Sequence, residues 1–168
     1  METQEKKLSV SRLTRLRAQG YLHESDQQLS AMAFGVRFAY RACVTILIVA
    51  MITKSIAIFS FMLGIAFLGV VLPNHPFDYI YNHIFSNRMN KPKLPARSPQ
   101  LKFACSIASV WLVSVIFLMW KNYTMVALIM AGVLAFVAAL PSIIDLCIPS
   151  VIYNTIYRNK TYPQLKNQ

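Results

Sequence analysis

Charge is scarce in this 168-residue sequence, and acid is scarcest: 14% of residues are charged, six of them acidic against seventeen lysines and arginines. Soluble domains carry about a quarter charged residues, so too few ionic groups are present to solvate a folded surface. No serine elbow, phosphate-binding loop or zinc-protease motif occurs. Three cysteines are present but no Cys-x-x-Cys, which weakens a dithiol redox reading. The first thirty residues hold no early apolar run, and neither end carries a lipidation pattern, so no cleaved leader or lipid anchor is expected. No acid or histidine sits in the middle of an apolar run, which argues against a proton-coupled exporter with a central carboxylate.

What is abundant is apolar: 56% of the chain, with a mean hydropathy of +0.46. The length suits one domain. A bilayer-spanning helix needs about 20 mainly apolar residues. Four segments approach this, at about 38–53, 56–72, 103–120 and 124–140. The expectation is an all-α polytopic membrane protein of four transmembrane helices, arranged as two hairpins, with short amphipathic interfacial helices. Residues 1–30 form a basic N-terminal segment, 31–157 the membrane domain with a 73–102 loop, and 158–168 a tail.

The net charge of +11 follows these boundaries. Seven basic residues lie in 1–42 (Lys6, Lys7, Arg12, Arg15, Arg17, Arg37, Arg41). Five lie in the long loop (Arg88, Lys91, Lys93, Arg97, Lys102) and three in the tail (Arg158, Lys160, Lys166). The two short turns hold only Lys54 and Lys121. That asymmetry predicts cytoplasmic termini and a cytoplasmic long loop. The basic residues read as contacts for anionic lipid headgroups, and no nucleic-acid partner is expected. Arg37 and Arg41, four apart on one helix face, are expected to snorkel to an interface. Ser25 with Gln28 fits a capping box, which would start the first helix near Asp26. Three prolines in Lys91–Pro99 favour an extended connector.

The halves echo one another. Ala42-Cys43 precedes the first hairpin and Ala104-Cys105 the second. Each hairpin ends in Leu-Pro (Leu72-Pro73, Leu140-Pro141), followed by an aspartate (Asp78, Asp145) and a Tyr-Asn pair (Tyr81-Asn82, Tyr153-Asn154). This fits a parallel repeat about an axis along the membrane normal, or merely common interfacial residues. Two ridges of small residues are candidate packing faces: Ala127, Ala131, Ala135 and Ala139, and the shorter Ala57, Ser60 and Gly64. They could serve a dimer seam or packing within one chain.

Candidate chemistry gathers in two places. In Asn74–His83, the residues His75, Asp78, Asn82 and His83 fall on one face of a short amphipathic helix and Phe77, Ile80, Tyr81, Ile84 and Phe85 on the other. That suits a helix lying among headgroups. A metal or proton site of His75, Asp78 and His83 is one reading, although such a spread of ligands meets one ion poorly. Helix capping by Pro76 and Asp78 accounts for the same residues. The second place is Asp145 with Cys147, where Arg41 or water could satisfy the acid. Cys43, Cys105 and Cys147 all map near the cytoplasmic ends of spans, where disulfides are not expected.

The stretch Leu72-Pro73-Asn74-His75-Pro76-Phe77-Asp78, with Leu94-Pro95-Ala96-Arg97 and Lys102-Phe103-Ala104-Cys105, resembles the membrane protein family called domain of unknown function 4395. The likeness covers roughly residues 30 to 157, and Cys147 and Tyr153 sit where the family's closing Cys and Tyr would fall. The resemblance implies a bacterial inner-membrane location and no established activity. Some relatives begin with a Cys-Pro pair and sit beside thioredoxin-like or sulfur-transfer proteins, and this chain lacks that pair. The leading expectation is a non-enzymatic membrane module that oligomerises or binds a partner, in a small-solute pathway, with no metal or cofactor. The alternative is a redox or sulfur-metabolism helper using the Cys, His and Asp residues of the cytoplasmic face.

Overall fold

A computed structural model describes residues 8–22, 24–89 and 91–157. Lys6, Lys7, Arg158, Lys160 and Lys166, which entered the charge asymmetry, lie outside the described residues, as does the 158–168 tail. The described chain is all helix, without strands. In order come α1 (Val10–Ala18), α2 (Asp26–Thr53), α3 (Ile56–Val71) and α4 (Pro76–Ile80). A π-helical turn (Tyr81–Phe85) leads into α5 (Ser86–Arg88), and α6 (Pro99–Trp120), α7 (Thr124–Ile144) and α8 (Ile148–Ile156) follow.

Local chemistry sets the boundaries. Ser25 Oγ accepts from the Gln28 N–H at 3.3 Å while Gln28 Oε1 accepts from the Ser25 N–H at 3.0 Å. This capping box starts α2 at Asp26, well before its apolar part. Lys54 adopts a left-handed conformation to end that helix, and Ser55 caps the next one two residues on. Ser98 caps α6 with Pro99 in the first turn, so this helix begins four residues before the expected 103. Helix α7 runs past the expected stop at Leu140. Pro141 lies inside it, and Asp145, at φ 59°, ends it.

Three helices, α2, α6 and α7, are long and apolar enough to cross a bilayer. The sixteen residues of α3 reach only ~24 Å at 1.5 Å per residue, short of the ~30 Å hydrocarbon core. It qualifies only together with Pro76–Met89, from which it is bent by 80°. The described residues thus hold three to four candidate membrane spans. Their outer faces carry Ile52, Phe61, Phe67, Val110, Met125, Ile129 and Phe136, all exposed. An apolar surface of that extent marks an apolar medium or partner.

The four long helices close a ring: α2 packs on α3, α3 on α6, α6 on α7 and α7 back on α2. Leu47, Phe59, Met62, Leu112, Val115, Ala127 and Ala131 fill the centre. The alanine ridge is used here, within one chain: Ala127, Ala131 and Ala135 are buried and Ala139 half-buried. Ser60 and Gly64 face outward, and a side chain at Gly64 would meet nothing within 4 Å. A second core joins α1 to the bundle through Leu13, Leu16, Leu29, Met32, Val36, Tyr81, Leu94 and Leu101.

The short helix after α3 corrects the expected amphipathic orientation. His75, Asp78, Asn82 and Ser86 of its expected polar face turn inward together with Phe77 and Tyr81 of the apolar one, while His83, Ile80 and Ile84 are exposed. The connector 91–98, extended as expected, supplies the partners that make this possible.

Candidate functional site

Two buried ion pairs stand at the ends of α3 and α7. The first joins Asp78 to Arg97, with Arg97 Nε 2.7 Å from Asp78 Oδ2 and Nη2 3.4 Å from Oδ1. Both side chains are nearly inaccessible, at 5% and 8%. A buried carboxylate needs a charged partner and further hydrogen bonds to offset lost hydration. Here the His75 backbone N–H donates to Asp78 Oδ2 at 3.2 Å, so the capping role foreseen for Asp78 coexists with the ion pair. Burial opposes the charge on Arg97, but the adjacent Asp78 carboxylate outweighs it and holds the guanidinium pKa above its usual value. Arg97 is itself fixed by its backbone N–H, which donates to the Pro73 carbonyl at 2.7 Å.

Asn82 pins the same connector. Its Nδ2 donates to the Leu94 carbonyl at 3.1 Å and its Oδ1 accepts from the Leu94 N–H at 2.8 Å. One turn on, Ser86 Oγ donates to the Lys91 carbonyl at 2.6 Å. His83 is exposed, with Nδ1 3.0 Å from the Tyr79 carbonyl, and stands apart from His75 and Asp78. Among the described residues no three His, Cys, Asp or Glu side chains are grouped to hold a metal ion.

The second pair corrects the expected partner. Arg37, not Arg41, engages Asp145: Nε–Oδ1 is 2.6 Å and Nη2–Oδ2 2.7 Å. The Arg37 side chain is 17% exposed, so it is enclosed by protein and does not snorkel, whereas Arg41, one turn further along α2, is exposed. Segment 10–19 completes this site. Arg12 Nη2 donates to the Ile143 carbonyl at 3.2 Å, Arg15 Nη1 to the Ile144 carbonyl at 2.9 Å, and Gln19 Nε2 to the Asp145 carbonyl at 2.8 Å. These donors serve carbonyls that a helix C-terminus leaves without intrahelical partners, and the cations complement its dipole.

Beside Arg97 lies a partly open cavity of about 240 Å³, lined by α2, α3, α6, α7 and α8. Its walls are mostly apolar, including Leu47, Met62, Ile65, Ala108, Trp111 and Val137. Its polar lining groups are His75, Arg97, Tyr40 and all three cysteines. Cys105 accepts from Arg97 Nη1 at 3.4 Å, and Cys147 is 4% exposed. His75 Nδ1 accepts from the Phe77 N–H at 3.3 Å, which leaves the ring proton on Nε2. Burial, then the nearby Arg97 charge, lower the His75 pKa to about 3, so its imidazole is neutral at physiological pH. The ring lies so close to α3 that a Cβ at Gly69 would fall 2.5 Å from His75 Cδ2.

Arg97, Tyr40, Gln19 and Trp111 were not singled out from sequence as site residues. Arg97 sits in a run of basic loop residues with nothing local to separate it from its neighbours. Only its Leu-Pro-Ala-Arg context, in the family resemblance, set it apart.

No curated protein and no solved structure matches the chain. The sequence pattern described as domain of unknown function (DUF4395) matches residues 33–158, which takes in both ion pairs and the cavity but not α1. The chain belongs to that family.

Proposed function

We propose that this is a four-span membrane module of the inner membrane, with both termini on the cytoplasmic side, that binds a small apolar molecule within its helix ring. It acts as a non-enzymatic component of a small-solute pathway. The observation that carries this reading is the cavity of about 240 Å³ with mostly apolar walls drawn from α2, α3, α6, α7 and α8. Cavities of about 150 Å³ with such walls accept benzene. Orientation is supported by the basic residues at the Asp145 end, opposite the turns of Lys54 and Lys121. In a Trp120→Phe background, Trp111 is the remaining tryptophan and lines the cavity, with its Nε1 donating to the Met130 carbonyl at 2.9 Å. Bromobenzene is expected to quench Trp111 saturably in nanodiscs, and Ala108→Phe is expected to remove that quenching. Linear quenching, unchanged by Ala108→Phe, would sink the reading.

A second reading, thiol chemistry in the same cavity, draws on the three cysteines that line it and on the contact of Arg97 with Cys105. It expects Cys147 to react with a membrane-permeant maleimide. An unreactive Cys147 whose serine replacement leaves growth unchanged removes it.

A further inference from the structure

His75 is an odd residue to bury at 3% exposure unless something meets its outward nitrogen. Its Nδ1 is occupied by the Phe77 N–H, so Nε2 must donate, and among the described residues Nε2 has no hydrogen-bond partner. The ring packs against α3 at Gly69, and it borders the cavity.

Charge then narrows what can enter. Among the described residues Arg97 is the only formally charged side chain that lines the cavity, and Asp78 neutralises it at 2.7 Å. An anionic head would therefore arrive without an uncommitted counter-charge and would lose its hydration. A neutral acceptor meets a neutral donor at no such penalty. The Tyr40 hydroxyl, also in the lining, already donates to Gln19 Oε1 at 3.3 Å. The volume, set against a benzene in about 150 Å³, accommodates roughly ten non-hydrogen atoms.

Building on the cavity reading, we infer that the ligand is an uncharged apolar carbonyl compound of roughly ten non-hydrogen atoms, its oxygen accepting from His75 Nε2–H. One neutral hydrogen bond of about 1 kcal/mol predicts a preference of roughly fivefold to tenfold over the matching hydrocarbon.

The test uses the full chain in nanodiscs, with Trp120→Phe, and three brominated probes of one length: 8-bromo-2-octanone, 1-bromooctane and 8-bromooctanoate. Contact quenching of Trp111 reads occupancy. The ketone is expected to bind about fivefold to tenfold more tightly than the other two. His75→Phe should bring the ketone down to the level of bromooctane, and His75→Gln, which keeps an amide donor near the Nε2 position, should restore part of the preference. If the carboxylate binds best, or all three bind alike, the ligand class is wrong while the cavity reading stands. A ketone preference that survives His75→Phe in folded protein likewise overturns the role of His75. If no probe quenches saturably, the cavity reading itself fails. The comparison of probes on the unsubstituted His75 protein decides the ligand class even where a His75 variant does not fold.

Discussion

Asp78 and Asp145 occupy matching places in the two halves, each following a long helix and a Leu-Pro pair. Each is met bidentately by an arginine of the other half: Arg97 just ahead of α6 for Asp78, and Arg37, three turns into α2, for Asp145. The packing follows the same crossed pattern, with α3 on α6 and α7 on α2. The surroundings differ. Around Asp78 the partners come from the neighbouring connector, and the pair is almost sealed. Around Asp145 they come from more than a hundred residues away, and Arg12 stands 3.8 Å off with 37% of its side chain exposed. One acid holds an arginine that lines the cavity. The other fastens α1 to the end of α7.

The largest effects should come from breaking the sealed pair. Removing one member of a buried pair leaves an uncompensated charge and costs about 3–5 kcal/mol. Arg97→Ala is expected in that range, measured as loss of reversible unfolding free energy in mixed micelles. Arg37→Ala should fall below it, because Asp145 keeps Arg12 within reach. Replacing both members of the sealed pair, Asp78→Asn with Arg97→Gln, should recover much of the loss. Equal effects at the two arginines would end the distinction drawn between the pairs.

That distinction was only half legible in the sequence. The aspartates and the capping box at Ser25 are local patterns, and they lie where the pattern placed them. The partners are not local. Arg37 was preferred over Arg41 by the register of α2 against the end of α7, which no spacing within α2 encodes. The two Leu-Pro pairs also part company in space: Pro73 lies beyond the end of α3, while Pro141 sits inside α7. The inward turn of His75, Asp78 and Asn82 was hidden for a related reason. The expected faces were also redrawn, since Phe77 and Tyr81 are buried with them and His83 is exposed, and the connector that satisfies the buried polar groups is a run of prolines and cations. The alanine ridge on α7 was visible, but whether it met α2 or a second copy depended on tertiary contacts.

His75 sharpens the comparison at the sealed end. Its pKa is about 3 in the folded chain against 6.5 unfolded. Between those values the unfolded chain binds the extra proton, so stability is fully present above pH 6.5 and declines as the pH falls toward 3. Going from pH 7 to pH 5 should remove about 2 kcal/mol. His75→Phe should flatten that dependence, read as the unfolding midpoint at the two pH values. An unchanged slope in this variant would mean that some other group carries the acid sensitivity.

The smallest effect belongs to Arg12, and it bears on how α1 is held. Exposed ion pairs contribute about 0.2–1 kcal/mol and weaken with salt, because screening acts on charges that water can reach. Arg12→Ala should therefore lower the unfolding free energy by under about 1 kcal/mol, with the difference shrinking in molar sodium chloride. The Arg37→Ala difference should persist in the same salt, since its pair is largely shielded. A salt-resistant loss above about 2 kcal/mol at Arg12 would place α1 inside the charge network of Asp145. The Asp145 end would then be as closed as the Asp78 end, and α1, outside the matched family region, would be as integral to the bundle as the helices within it.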